Sequence, residues 1–417
     1  MRESGLEALT RVCAEPYGFW LDSSLVDNRL GRHSFWGWRP SLVLRSWGRT
    51  VELSQPGGKK NRFEGDAFEV LRRLLAQRRG MPGAAVGYLG YGLGSLIEEL
   101  PCTAAADLGL PDCSLGFYDD VSVLDAERLS AGAAVPTLAR SFGGLASTFT
   151  RDRYLATVER VLRYIQAGDV YQVNLSQRFS ADCAADPFDV YLRLRCLSPA
   201  PYAAFLRFPD FVLMSSSPEC FLEADPLTRA IETRPIKGTR PRSRDFAEDA
   251  ALARDLKASE KDLAENLMIV DLERNDLGRV AETGSVEVTG MFEVESYATV
   301  HHLVSTVRAR LRRDRDLVDL LRATFPSGSV TGAPKVRAMQ IIDELEPVAR
   351  GPYTGAIGYI GFDGSMSLNV AIRILVVKDQ RAYFHVGGGI VADSDPVAEY
   401  QETLDKGAAL ARALTGE

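Results

Sequence analysis

The sequence predicts an α/β (α+β) fold: large antiparallel β-sheets packed as a sandwich, with helices on the flanks. Three observations carry this. Ala203–Phe208 and Phe211–Met214, either side of Pro209-Asp210, read as a hairpin of strand-forming residues around a turn. Tyr154, Val158, Val161, Leu162 and Ile165 recur at helical spacing from Arg151 until Gly168 stops them. Near the C-terminus, 355–361, 368–377 and 382–386 read as three strands joined by Asp363-Gly364 and Asp379-Gln380 turns, an antiparallel meander.

With 417 residues, 46% of them hydrophobic, the chain can bury a large core or two merged ones. A net charge of -7, from 49 basic and 56 acidic residues, gives no electrostatic footprint for nucleic acid. The first residues, MRESGLEALTRVCAEPYG, lack an apolar signal core, and no run approaches the roughly 20 apolar residues of a membrane helix. A cytoplasmic protein with neither a membrane nor a nucleic-acid partner is expected. The cysteines Cys13, Cys102, Cys113, Cys183, Cys196 and Cys220 are scattered without a CxxC pair, as structural thiols in a reducing compartment.

Along residues 1–125, pieces at 17–24, 32–38, 41–46 and 50–53 read as meandering antiparallel strands. Phe68–Arg79 is an amphipathic helix ended by Gly80. The glycine-rich run 84–94 lacks the strand, helix and acid of a dinucleotide site, so its glycines fit tight strand packing. From Ala126 to Thr148 the composition turns to Ala, Gly, Ser and Pro. We therefore divide the chain into an N-terminal region, 1–125, packing on the catalytic part, a linker, 126–149, and a catalytic domain, 150–417.

The residues that carry chemistry lie in the third part. Gln172, Asn174 and Ser176 share one face of a strand, either a solvated edge or the wall of a polar cavity. Glu219 stands between Pro218 and an apolar run, as a half-buried acid with a raised pKa or as a plain turn acid. Lys237 sits in a Pro-Ile-Lys-Gly-Thr turn, a setting for a nucleophile or cation site. An acidic helix follows over Ala247–Leu277. Leu256, Leu263, Leu267 and Val270 line one face, with Asp262, Glu265 and Ile269 on the adjacent stripe, so Glu265 borders the core. His301 and His302 are strand neighbours on opposite faces, and at most one enters a site.

The loop 325–335 has the look of a phosphate loop with the wrong spacing, because Pro334 precedes Lys335. Backbone amides at the helix start near Pro334 suit an anion such as a carboxylate. Arg373, within an apolar strand, needs an anion, either a protein carboxylate or a substrate carboxylate. Gly387, Gly388 and Gly389 let backbone amides approach a ligand. Asp395 caps the last helix, where Glu399, Glu402 and Lys406 share a face. That face is either solvated, with an internal Glu402–Lys406 pair, or joins Glu265 around a hard divalent cation such as Mg²⁺.

In order, YQVNLSQRF, SSSPECF, PIKGTRPR, AENLMIVDLERNDLGRV, ATVHHLVS, FPSGSVTGAPKVRAMQII, GPYTGAIGYIG, NVAIRILV and GGGIVADSDPVAEYQETLDK resemble the motifs of the chorismate-utilising family. That family holds anthranilate synthase component I, aminodeoxychorismate synthase component I, isochorismate synthases and salicylate synthases. The resemblance is dense from Arg151 to Ala408, and FWLDSS and GYLGYG look like the more variable first part of the amidotransferase-linked members. It implies an anthranilate synthase component I-like fold, with Glu265 and Glu399, and Glu402 close by, holding Mg²⁺ against chorismate's ring carboxylate. Arg373 and Tyr353 would clamp the enolpyruvyl carboxylate. Gly387 to Gly389, Thr331, Thr239 and Lys406 would line the substrate site, with His302 near the leaving hydroxyl.

By the same resemblance Glu219 matches the acid that protonates the C4 leaving group, and Gln172 stands where water-adding members keep a lysine base. An amide cannot deprotonate water, which argues against isochorismate or salicylate formation. Anthranilate-forming relatives read PIAGT; aminodeoxychorismate-forming ones read PIKGT, as here. Lys237 is then the nucleophile that attacks C2, and ammonia displaces it at C4. No glutaminase signature occurs in the chain, so ammonia is expected from a separate glutamine amidotransferase subunit. No pyruvate-releasing domain is evident, so the expected product is 4-amino-4-deoxychorismate, a folate precursor. Relatives also bind tryptophan in the N-terminal part.

Overall fold

A computed structural model describes residues 5–24, 33–55, 57–125, 144–297 and 300–415. Residues 126–143 of the expected linker, with Arg32, Ala298 and Thr299 of two expected strands, lie outside these. Two antiparallel sheets form the body, one of ten strands and one of twelve among the described residues. They face each other across a shared apolar layer to which the first sheet gives Phe19, Leu206 and Ile374 and the second Val86, Tyr88 and Ile357. Two inner faces meeting in one core is how sheets hide their apolar sides without a closed barrel.

Helices cover both outer faces. Ala67–Arg78, Glu260–Gly278 and Leu317–Thr324 pack on the twelve-stranded sheet through Phe68, Val270 and Leu321. Pro187–Leu197 and Pro396–Thr415 pack on the ten-stranded sheet through Leu194 and Leu410. Arg151–Gln166 begins at Thr150, whose hydroxyl accepts from the Arg153 amide, and ends where Gly168 takes a φ of +79°. The expected hairpin is present, as Tyr202–Arg207 paired with Val212–Ser217.

Residues before 126 supply strands to both sheets. Phe19–Asp22 pairs with Tyr202–Arg207 in the first, and Ala84–Leu89 pairs with Ala356–Gly361 in the second. The glycine-rich run 84–94 is thus an interior strand followed by a short 3-10 turn. Among the described residues no helix is long and apolar enough to cross a membrane, and all six cysteines are free thiols.

Two expectations are corrected. The acidic helix 247–277 is two helices, Phe246–Ala258 and Glu260–Gly278, because Ser259 leaves helical geometry and caps the second. Within the second helix Leu267 is half exposed while Ile269 and Val270 are buried, so the buried stripe runs through Asn266 and Val270 and not through Leu267. The predicted strand 368–377 is also two strands. Met366–Val370 belongs to the twelve-stranded sheet and Ile374–Lys378 to the ten-stranded one. The chain changes sheets at Ala371–Arg373, where Arg373 has a φ of +50°. Both strands are buried, so hydrophobicity alone did not reveal the corner.

Candidate active site

The site forms where the ten-stranded sheet meets the helix Glu260–Gly278. The strand Gln172–Asp182 runs antiparallel to Arg381–Ile390, with Asn174, Leu175 and Ser176 opposite Gly389, Gly388 and Gly387. Gln172, Asn174 and Ser176 are all buried, which removes the solvated-edge alternative. Gln172 turns to the helix, and its amide donates to Glu265 Oε1 at 2.5 Å. Lys237 Nζ donates to the same oxygen at 2.7 Å.

Lys237 is aimed there by a bulge. The strand Ile236–Pro241 slips register against Val300–Arg310 between Ile236 and Thr239, and Gly238 takes a φ of +86°. A Cβ on Gly238 would stand 2.9 Å from the Asp262 carboxyl carbon, so glycine is what lets the turn lie against the helix. Burial works against a charge on Glu265, but Lys237, with Lys406 and Gln172 adding to it, outweighs this and holds the carboxyl below its ordinary value.

The glycines form the floor. A Cβ on Gly389 would fall 2.0 Å from the Gln172 amide nitrogen and 2.9 Å from Glu265 Oε1. One on Gly388 would fall 3.1 Å from Glu399 Oε2 and 3.2 Å from Glu402 Oε1. Three carboxylates from two helices therefore converge on two adjacent glycines. Each is held at present: Glu265 by Lys237, Glu399 by the Ser394 hydroxyl at 2.6 Å, and Glu402 by Lys406 at 2.6 Å. Lys406 also reaches the Gly387 carbonyl. Burial, aided by Glu402, raises the pKa of Glu399 despite the Ser394 bond. No three His, Cys, Asp or Glu side chains among the described residues stand as a ready metal cluster. The donors suit a hard cation all the same, since all are carboxylate oxygens and their surplus negative charge lines the cradle.

On the opposite wall, Glu219 is buried at the turn between Val212–Ser217 and Cys220–Ala224. Burial raises its pKa, opposed by the neighbouring Ser329 and by Lys237, so the raised-pKa reading stands, with Glu219 fully and not half buried. Arg373 has no carboxylate in salt-bridge range among the described residues; burial lowers its pKa, and Glu219 is the charge that counters this. Thr239 lies opposite His302, and its hydroxyl shares a 2.9 Å hydrogen bond with Nδ1. Burial, with Arg373 nearby, pushes His302 down to about 3, so the ring is neutral, and its Nε2 has no partner. His301 faces away, bonded to Asp249 and Ser296.

Two expected residues are engaged elsewhere. Tyr353 stacks on His385 at 5.1 Å and packs in the layer between the sheets, with no ring contact or hydrogen bond to Arg373. The Thr331 hydroxyl donates to the Ser327 carbonyl at 3.0 Å, inside its own loop. Sequence reasoning missed Glu273, fully buried on the same helix as Glu265 and bonded to Ser327. The signal was present. Asn266, Val270, Glu273 and Leu277 follow the buried helical stripe, and two of the four are polar.

A family model described as chorismate binding enzyme matches residues 23–412. The chain is 41% identical to aminodeoxychorismate synthase component 1 of Klebsiella aerogenes, over 95% of this chain and 93% of that protein. It is 36% identical to anthranilate synthase component 1 of Acetivibrio thermocellus, over 95% and 90%. The crystal structure of anthranilate synthase component I from Streptococcus pneumoniae TIGR4 superposes with a TM-score of 0.80 at 33% identity, covering 94% of each chain. The chain is thus a chorismate-utilising enzyme of the aminodeoxychorismate and anthranilate synthase component I type, and it belongs to the chorismate binding enzyme family.

Proposed function

We propose that the chain aminates chorismate at C4, giving 4-amino-4-deoxychorismate for para-aminobenzoate and folate synthesis. The observation that carries the reading is Lys237, nearly buried and 2.7 Å from Glu265 Oε1 in the cradle. A lysine at this position supplies an amine nucleophile; an alanine would supply none. Lys237, once neutral, attacks C2 of chorismate as the C4 hydroxyl takes a proton from Glu219 and leaves as water. Ammonia then attacks C4 and expels the lysine, so nitrogen ends para to the ring carboxylate. The neutral His302 lends a hydrogen bond near the leaving group. Arg373, short of a protein anion, takes the enolpyruvyl carboxylate, with Tyr353 stiffening the wall behind it.

Glu265, Glu399 and Glu402 would hold Mg²⁺, which when bound neutralises the ring carboxylate. Thr239, Thr331, Gln172, Lys406 and Gly387 to Gly389 complete the substrate wall. Ammonia comes from a separate glutamine amidotransferase subunit in the cytoplasm, in keeping with relatives named component 1. A cavity of about 710 Å³ bordered by Leu21, Ser23 and Pro201 is where tryptophan would sit in the N-terminal part.

The test is product identity. Chorismate, Mg²⁺ and ammonium, with an added aminodeoxychorismate lyase, should give para-aminobenzoate. Anthranilate would make the chain an anthranilate synthase component I, and ligand binding without turnover would make it a non-catalytic regulatory protein. Intact-protein mass after quenching without ammonia should show a chorismate-derived adduct on Lys237.

A further inference from the structure

We propose that Glu273 is a positioning residue at the far end of a buried proton wire, Glu219–Ser329–Ser327–Glu273, which lends and recovers the proton that Glu219 delivers to substrate. The inference rests on the proposed role of Glu219. Ser329 stands beside the Glu219 carboxylate and favours its charged form. The Ser329 and Ser327 hydroxyls are 3.0 Å apart, and either can donate. Ser327 Oγ donates to Glu273 Oε1 at 3.0 Å. All four residues are buried, each at most 5% exposed, so bulk water does not short-circuit the chain.

The end groups are suited to holding and passing a proton. Glu273 Oε1 accepts from Ser327 and from the Gly328 amide at 3.1 Å, while Oε2 has no partner. A buried carboxylate needs donors on both oxygens; a neutral carboxyl does not. Burial, with Asp276 adding to it and Lys335 opposing, pushes Glu273 up to about 7. Glu219 raises it further and itself faces Lys237, Lys406 and Arg373. Two carboxyls joined by hydroxyls titrate as a pair, and the hydroxyls point one way or the other according to which end holds the proton.

The balance closes over one turnover. As the C4–O bond breaks, the hydroxyl takes the proton of Glu219 and departs as water. Ser329 passes a proton to Glu219, Ser327 to Ser329, and Glu273 to Ser327, leaving Glu273 a carboxylate and both hydroxyls intact. The nitrogen that bonds to the ring carries one proton more than the product keeps. That proton returns through Glu219, and the hydroxyls turn over in reverse.

The experiment compares wild type with Glu273→Gln and Ser329→Ala, using ammonium as nitrogen source and expressing rates against free ammonia from pH 5.5 to 9, a range set around the Glu273 value of about 7. The glutamine keeps the acceptor oxygen for Ser327 and Gly328 but carries no acidic proton. Wild-type kcat should fall as pH rises through about 7, where Glu273 loses its proton. In both variants that limb should vanish, with kcat about tenfold to a hundredfold lower at pH 6 and KM for chorismate unchanged. The double variant should lose no more than either single one, because each cuts the same chain. An unchanged pH profile in Glu273→Gln or Ser329→Ala, from enzyme that melts as wild type does, would overturn the wire. If wild type itself makes no product aminated at C4, the proposed function fails instead, so the two failures are distinguishable.

Discussion

Arg350 and Arg373 are both largely withdrawn from water, and they are equipped in opposite ways. Arg350 is saturated. It bonds Glu346 through two nitrogens, at 2.9 and 2.7 Å, and reaches the carbonyls of Asn174 and Val330 and the Thr354 hydroxyl. Its partner Glu346 also accepts from the Ser176 amide and hydroxyl. Arg373 has no such carboxylate; near it His302 Nε2 is buried without a partner, and on the strand Gln172–Asp182 so are Gln172 Oε1 and Asn174 Oδ1. Orphaned polar groups cost free energy, so a fold keeps them where something else completes them. Around Arg350 polar groups hold the fold together; beside Arg373 they wait for a ligand.

The contrast can be broken by removing one charge at a time. Arg350→Met should be the most damaging change, stranding buried Glu346 and costing about 3–5 kcal/mol, read as a lower midpoint in urea or failure to yield folded protein. Lys237→Ala should leave the urea midpoint near wild type and cut formation of the C4 amine roughly a thousandfold, the scale of losing a catalytic group. Arg373→Met should raise KM for chorismate about tenfold to a hundredfold with no loss of stability, since no protein partner is abandoned; a destabilised variant would place Arg373 in the same class as Arg350. Leu267→Ser, on the exposed side of the Glu265 helix, should shift stability by less than about 0.5 kcal/mol.

Much of this was legible in the sequence because periodicity and turn chemistry are local. The hairpin at 202–217, the stop at Gly168 and the divergence of His301 from His302 follow from neighbours a few residues apart. What escaped is set by distant contacts. Arg373 sits at a corner between sheets, and an apolar run reads the same whether it continues or turns. Ser259 was passed over inside an acidic stretch, although serine is a preferred N-cap. Glu273 was not singled out on its charged helix. Its meaning depends on Ser327 and Ser329, more than fifty residues on and joined to it only by folding. The motif resemblance gathered Glu265, Lys237 and Gly389 correctly as neighbours, yet it did not show that Tyr353 spends its ring on His385.

One carboxylate oxygen, Glu265 Oε1, serves both Lys237 and Gln172. A newcomer that claims that oxygen has to evict a donor first, and the amine is set loose only in its company. Under the proposed reaction, a stray carbonyl metabolite would meet an amine tied to a carboxylate, and the nitrogen would come free only when the right guest claims that oxygen.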